Sequence, residues 1–128
     1  MNLPQGHQTV MPYLIMDSAE EFIDFVKDVF SAIEKMRVPS PEGGIMHAEI
    51  MIGTSTLMFA GATTQFEPDT ANLFVYVTDV DSTYHRALKA GSISIRAPRQ
   101  EDYGYSAGIE DPFGNTWWLT APDTSKNG

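Results

Sequence analysis

Two stretches of similar pattern decide the fold: Val10-Met-Pro-Tyr-Leu-Ile-Met16 before Ser18-Ala-Glu-Glu21, and Asn72-Leu-Phe-Val-Tyr-Val77 before Asp79-Val-Asp-Ser82. In each stretch, an apolar run long enough for a buried strand precedes residues that commonly begin helices. The segment Ser18–Glu21 predicts a capping box, in which the hydroxyl and the carboxylate satisfy free amides of the first helical turn. Asp79 predicts the N-cap of a second helix. The chain therefore contains the same strand–helix unit twice.

Helical and extended patterns continue both units in the same order. Apolar residues recur at helical spacing from Phe22 to Phe30 and from Val80 to Leu88, and Gly91 predicts the end of the second helix. Three further strands are predicted in each half: Ala32–Val38, Ile45–Ile52 and Leu57–Ala60, then Ser92–Ala97 (ended by Pro98), Tyr105–Glu110 and Thr116–Thr120.

This repeat predicts an α+β fold of two βαβββ modules, residues 10–61 and 71–121, which form a curved mixed sheet with the helices on its convex side. Because two modules in 128 residues are too small for independent cores, we expect a single domain over residues 10–121. Residues 1–9 predict a flexible arm in which His7 is solvated, and residues 122–128 predict a frayed tail.

Composition excludes several functional classes. The chain has 8 Lys+Arg against 17 Asp+Glu, a formal charge of −9, so it would repel phosphates and nucleic acid is not an expected partner. The absence of cysteine excludes disulfide scaffolds, Cys-zinc sites and thiol nucleophiles. No apolar run reaches the roughly 18 residues of a membrane span, and no signal pattern precedes the first strand. We therefore predict a cytoplasmic protein with no membrane partner.

Hairpin geometry assigns the side chains of the first half to two faces. A turn at Thr54–Ser55 would place Ile52 opposite Leu57, and side chains alternate between faces along each strand. One face is uniformly apolar and fits the first helix: Ala48, Ile50, Ile52, Leu57 and Phe59. The other face has mixed polarity and predicts the wall of a ligand site: His47, Glu49, Met51, Met58 and Ala60.

The same reasoning in the second half directs Trp117 and Leu119 toward the helix and Trp118 toward the concave side, where Ser106 and Gly108 lie opposite the closing strand. The inward-facing residues are rich in aromatic rings and methionine, which is typical of ligand pockets. The predicted ligand-binding residues are Tyr13, His47, Glu49, Met58, Asn72, Phe74, Tyr76 and Trp118.

Three motifs resemble one known family. They are Met46-His-Ala-Glu-Ile50, Val77-Thr-Asp-Val-Asp81, and Asp111-Pro-Phe-Gly-Asn115 followed closely by two tryptophans. Over residues 10–121 the chain resembles the vicinal oxygen chelate superfamily, which includes glyoxalases, bleomycin resistance proteins and ring-cleaving dioxygenases. It is most similar to the PhnB-like, glyoxalase-like subgroup. The resemblance implies the fold above, and it is specific for the fold rather than for an activity.

The resemblance also implies positions for metal ligands, since metal-dependent members use His, Gln or Glu side chains there. By motif these positions correspond to Met11, Met58, Asn72 and Trp118. Thioether, amide and indole do not form the expected divalent site, because indole cannot ligate and methionine prefers soft ions. We therefore predict neither a metal site nor a cofactor.

His47 and Glu49 leave alternatives open. They are two residues apart on one strand face, so they are candidate catalytic residues for proton transfer. Together with Glu110 they are also candidates for a relocated divalent metal site. The simplest interpretation is a histidine that is hydrogen-bonded near a glutamate at a wall or an interface.

Three functional hypotheses follow. The first is a homodimer that binds a small hydrophobic or cationic molecule in a concave aromatic pocket without metal, as bleomycin resistance proteins sequester a drug. The second is an enzyme of the same superfamily, a lyase, isomerase or dioxygenase, with a metal or with His47 and Glu49 as acid and base. The third is a structural dimer whose side chains fill both concavities.

Overall fold

Two strand–helix–strand–strand–strand units follow each other along the chain. A computed structural model of the protein describes residues 1–122. The first unit consists of β1 (Tyr13–Met16), α1 (Ala19–Phe30), β2 (Ile33–Pro39), β3 (Ile45–Ile52) and β4 (Ser55–Gly61). The second consists of β5 (Asn72–Tyr76), α2 (Val80–Lys89), β6 (Ile93–Glu101), β7 (Gly104–Glu110) and β8 (Thr116–Pro122). Of the predicted tail 122–128, Pro122 ends β8, and the remainder lies outside the described residues.

Hydrogen bonding divides the strands into two four-stranded mixed sheets, with the orders β1-β4-β3-β2 and β5-β8-β7-β6. In each sheet the opening strand pairs parallel with the closing strand, and the other pairs are antiparallel. The predicted α+β class with paired βαβββ modules is confirmed. Where the sequence predicts one curved sheet, the structure has one sheet in each unit, and the boundary between the compact units falls between Thr70 and Ala71.

A single helix covers one face of each sheet. In the first unit α1 packs against β3 and β4, and its buried residues include Phe22 and Val26. In the second unit α2 packs against β6, β7 and β8. Large apolar side chains fill the space between helix and sheet, and Phe59 and Trp117 are at most 1 % exposed. Neither helix of the described chain is long and apolar enough to cross a membrane.

The first hairpin has a different register from the one we predict, yet the faces are as predicted. Ile52 pairs with Ser55 rather than with Leu57, because the turn is formed by Gly53 and Thr54 and Gly53 adopts φ +58°. A slip of two residues leaves every side chain on its original face, since the strand period is two. Ile50 and Leu57, which pair on the helix side, are accordingly buried.

Two local predictions are wrong. Ser18 is the N-cap residue of α1 but makes no side-chain capping bond, because it adopts a left-handed conformation (φ 61°) instead of the extended one that capping requires. Pro98 does not end a strand, since β6 continues through it to Glu101. Proline is tolerated there because β6 is an edge strand and its register shifts between Arg96 and Arg99.

The second helix is formed as predicted, and a buried carboxylate organises the last turn. The Asp79 carboxylate accepts a hydrogen bond from the Ser82 amide, and Gly91 follows the helix with φ +104°. After β7, the buried Asp111 carboxylate accepts bonds from the amides of Phe113 and Asn115 and from the indole N–H of Trp117. Trp117 is thereby fixed toward the core, which directs its neighbour Trp118 to the opposite face.

Candidate functional site

A hydrogen-bonded cluster lies on the face of the first sheet that α1 does not cover. Glu49 of β3 is 8 % exposed. Its Oε1 accepts a bond from His7 Nε2 at 2.7 Å, and its Oε2 accepts one from His47 Nε2 at 3.2 Å. A carboxylate can only accept, so each imidazole presents its Nε2–H to Glu49. In neutral His47 this leaves Nδ1 as an acceptor, 3.5 Å from the hydroxyl of Tyr13.

The two histidines stabilise the ionised form of the Glu49 carboxyl group. Burial raises the pKa of the Glu49 carboxyl, but the hydrogen bonds from His7 and then His47 lower it, and the net pKa lies below the ordinary 4.5. Glu49 is therefore an ionised carboxylate at neutral pH, held between two imidazoles. A carboxylate in this position can fix the orientation of an imidazole ring.

The N-terminal arm supplies one member of this cluster. We expect His7 to be solvated, and this expectation is wrong: its side chain is 17 % exposed and bonds to Glu49. The neighbouring Gln8 side chain forms two hydrogen bonds with the backbone of Thr56, and the Thr56 hydroxyl donates to the Gly6 carbonyl. These bonds tie residues 6–8 to β3 and β4.

The structure brings the four predicted residues of the first unit together. Met58 of β4 pairs with Tyr13 on one side and with Glu49 on the other, and the rings of Tyr13 and His47 lie 5.7 Å apart. Tyr13 is 51 % exposed. The cluster is therefore partly open to solvent at Tyr13 and closed at Glu49.

The second unit bears an aromatic face, which we define as Phe74, Tyr76, Tyr103 and Trp118. The Phe74 ring lies 5.3 Å from that of Tyr76 and 6.0 Å from that of Tyr103. The three rings of Phe74, Tyr76 and Tyr103 are 52 %, 66 % and 48 % exposed. Phe74, Tyr76 and Trp118 lie on the face opposite α2, because Phe74 pairs with Trp118 and Tyr76 is two residues from Phe74. The Tyr103 ring joins them through its contact with Phe74.

The position of the Trp118 ring depends on a glycine. Gly108 of β7 pairs with Trp118, and a Cβ at Gly108 would lie 2.5 Å from Cζ3 of the indole. The indole therefore lies directly across β7, in space that any other residue at 108 would fill. Its Nε1–H donates to Asn72 Oδ1 at 3.4 Å, which joins the fourth predicted residue of this unit to the others.

A cleft of about 930 Å³ lies elsewhere in the first unit, within the size range of ligand pockets. It is formed by the β1–α1 connection, the β2–β3 turn and the segment after β4, and of the predicted site residues only Tyr13 lines it. Four carboxylates and no basic side chain are among its lining residues: Asp17, Glu20, Glu21 and Glu42.

Comparison with known proteins identifies the family. The family model for the Glyoxalase/Bleomycin resistance protein/Dioxygenase superfamily matches residues 6–119. The chain belongs to this superfamily. An uncharacterized protein of Mycobacterium bovis, Mb0911c, is 33 % identical over 123 residues, which cover 87 % of this chain and 81 % of the relative.

Solved structures of superfamily-like proteins share the fold. A PhnB protein from Bacillus cereus, described as a putative 3-demethylubiquinone-9 3-methyltransferase, superposes with a TM-score of 0.70 at 16 % identity, covering 89 % of this chain and 99 % of that one. TnmS3 from Streptomyces sp. CB03234, described as an antibiotic binding protein, superposes with a TM-score of 0.67 at 18 % identity, covering 91 % and 100 %. At these identities the likeness concerns the fold alone.

The superfamily resemblance implies four positions for metal ligands. The side chains that this chain has there do not suit a divalent metal. Met58 offers a thioether, and Asn72 and Trp118 bond to each other through the indole N–H, which cannot ligate. Across residues 1–122, no three or more His, Cys, Asp or Glu side chains are grouped to hold a metal ion. The side chains at these positions therefore do not fit the divalent site that the resemblance implies.

Sequence reasoning missed three parts of the site. His7 bonds to Glu49 across 42 residues of sequence, and no local pattern indicates that bond. Tyr103 and Arg96 lie on or beside the aromatic face because β6 and β7 pair there.

The lowered pKa of Glu49 predicts an acid-dependent stability. Its contribution is fully present above the unfolded-state pKa of 4.5 and is lost as pH falls through the lower folded-state pKa. We expect Glu49→Gln to lower the free energy of unfolding by about 1–3 kcal/mol near pH 5.5, and this deficit to shrink toward pH 3. Urea unfolding at both pH values measures it, with the exposed Glu67→Gln as the control for charge. A deficit that is equal at both pH values would contradict this prediction.

The contact between Gly108 and Trp118 predicts a strong coupling between the two positions. Gly108→Ala places a methyl group inside the indole and should destabilise the fold by about 1–3 kcal/mol. In a Trp118→Ala background the same substitution meets no ring, so its cost should largely disappear. Denaturant unfolding of the four proteins measures the coupling. Additive effects would show that Trp118 does not depend on Gly108.

Proposed function

We propose that the protein reversibly binds a small, planar, hydrophobic molecule on the aromatic face, without the help of a metal. The observation that carries this proposal is the exposure of the rings of Phe74, Tyr76 and Tyr103, which are about half exposed and in mutual contact. Clustered aromatic rings left open to solvent are typical of binding surfaces rather than of a closed core.

The geometry of the rings supports a stacking ligand. Phe74 and Tyr76 meet edge to face with an interplanar angle of 77°, so the face of one ring stays available while the other supports it. A flat aromatic ligand gains about 0.5–1.5 kcal/mol from each such ring contact in addition to its buried area. The description of the neighbour TnmS3 as an antibiotic binding protein is consistent with this use of the fold.

A neutral naphthalene probe tests the proposal. We expect 2-naphthalenemethanol to bind with chemical-shift changes at the aromatic face, and Phe74→Leu to weaken the Kd several-fold, about tenfold at most, because one ring contact is lost. Isothermal titration calorimetry and NMR measure these effects. Ile33→Ala is the control, since Ile33 is 60 % exposed but lies on β2 of the first unit and belongs to neither the aromatic face nor the cleft.

Two outcomes would contradict the binding proposal. One is the absence of shift changes at the aromatic face up to the solubility limit of the probe. The other is an equal loss of affinity in Phe74→Leu and Ile33→Ala, which would indicate nonspecific contact with any exposed apolar side chain.

The sequence also suggests a cationic ligand, and the feature that supports this alternative is the cleft in the first unit. The cleft there is lined by Asp17, Glu20, Glu21 and Glu42 together with apolar groups such as Phe66, and none of its lining residues is basic. Carboxylates on an apolar wall suit an organic cation. The cleft and the aromatic face are therefore distinct parts of one binding proposal.

Acid–base catalysis is the second candidate function, and one observation favours it. The ionised Glu49 orients His47 so that Nδ1 is free to accept a proton beside the half-exposed Tyr13. This arrangement suits proton abstraction next to a carbonyl, the step shared by isomerases and lyases.

Hydrogen exchange in a simple ketone tests this candidate. In D2O the protein should accelerate the exchange of the C–H protons of hydroxyacetone, followed by proton NMR. His47→Gln should lower the rate by a factor of about 100 or more, the usual contribution of a general base. His85→Gln removes an exposed histidine on α2 and serves as the control. Equal rates with and without the protein would remove this candidate.

The expected homodimer is retained as part of the binding proposal. Ile93 and Ile95 of the edge strand β6 are 65 % and 48 % exposed, which leaves apolar side chains at an open sheet edge. Pairing of two copies is a common way to cover such edges.

A further inference from the structure

The strand register places Arg96 on the same side of the second sheet as the aromatic face. Phe74, Trp118, Gly108 and Arg96 are successive cross-strand partners, so they form one row on the same face of the second sheet. The register of β6 shifts on both sides of Arg96. Bulges of this kind re-aim a single side chain and are common next to binding sites.

The Arg96 guanidinium is oriented by its neighbours. Its Cζ atom lies 5.3 Å from the centre of the Trp118 ring, within the range of cation–π contacts. Nη2 donates to the Tyr103 hydroxyl at 3.3 Å, and Nη1 is 3.5 Å from a carboxylate oxygen of Glu101. The arginine is therefore held against the ring by three different groups.

These contacts leave the guanidinium incompletely paired. Its Nε–H is buried and finds no acceptor within residues 1–122. Glu101 is shared with Arg99, whose hydrogen bond is the first cause of the lowered pKa of Glu101. The Arg96 side chain as a whole is 22 % exposed, so a ligand acceptor can reach the open part of the guanidinium and form a charge-assisted hydrogen bond there.

We propose that Arg96 makes the aromatic face selective for a planar aromatic anion, a ligand that carries a carboxylate or a sulfonate on its ring system. The proposal rests on the proposed binding function and specifies its ligand class. The ring system stacks beside Phe74 and Tyr103, and its anionic group accepts hydrogen bonds from the Arg96 guanidinium.

Tyr103 links the two halves of this site. Its ring lies 6.0 Å from that of Phe74, and its hydroxyl accepts the bond from Arg96. The bond from Arg96, and then that from Ser106, lowers the pKa of the Tyr103 hydroxyl. This direction is consistent with a positive potential at the point where the anionic group of the ligand would lie.

Two naphthalene ligands that differ only in charge test the proposal. We expect 2-naphthoate to bind about tenfold more tightly than 2-naphthalenemethanol, because a charge-assisted hydrogen bond is added to the same stacking. Arg96→Gln should bring the ratio of the two Kd values close to one, and this ratio measures the preference even if the variant also binds 2-naphthalenemethanol less tightly than the parent. Calorimetric titration of both ligands measures the preference.

Arg99→Gln is the matched control. Arg99 lies on the same strand and its side chain is 62 % exposed, so this variant removes the same charge outside the row. We expect it to keep the preference for 2-naphthoate. Arg96→Lys keeps the charge without the planar donor set and should retain only part of the preference. This variant also keeps the test decisive if circular dichroism shows that Arg96→Gln is unfolded.

The outcomes separate this inference from the proposed function. Equal affinity of the parent for both ligands would overturn the role of Arg96 and leave binding on the aromatic face intact. The same is true if Arg99→Gln loses the preference as fully as Arg96→Gln, since the charge alone would then be responsible. Failure of both ligands to bind would overturn the binding function and this inference together.

Discussion

Each sheet of this protein is covered by one helix of its own unit, and the other features of the site depend on this constraint. Side chains alternate along a strand, so every strand contributes one set of residues to the helix-covered core and one set to the opposite face. Phe59 and Trp117 belong to the first set and are buried. Glu49 and Trp118, which directly precede or follow core residues, belong to the second set. The predicted site residues are therefore found on the faces that the helices do not cover.

The faces could be predicted from the sequence because they depend on a period of two and not on the register. The predicted turn at Thr54–Ser55 is wrong, yet the error shifts the hairpin by two residues, and the predicted faces survive. The observed turn also has two residues but begins at Gly53, whose left-handed backbone (φ +58°) suits a tight turn. The alternation of apolar and polar residues therefore predicts the faces correctly, although the individual cross-strand pairs are predicted incorrectly.

Two predictions from local sequence patterns are wrong, and the contacts of two further residues could not be predicted because their partners are distant in sequence. The Ser18–Glu21 pattern fits a capping box, but the chain enters α1 through a left-handed residue, which prevents the hydroxyl from capping. Pro98 is compatible with β6 because the strand is at an edge, a fact that only the sheet order shows. The roles of His7 and Arg96 depend on partners in other strands, since a hydrogen bond or a cation–π contact across the fold leaves no periodic signal.

Electrostatics in this chain act at two different ranges. The formal charge of −9 repels anions at a distance, and at physiological salt this repulsion decays over about 8 Å. Within a few ångströms the nearest fixed charges dominate: the Glu49 carboxylate in the first unit and the Arg96 guanidinium in the second. Long-range charge mainly changes the rate of encounter, whereas close pairing on a desolvated surface changes the rate of release. An acidic protein can therefore hold an anion, provided that one arginine is fixed on an aromatic ring where the ligand binds.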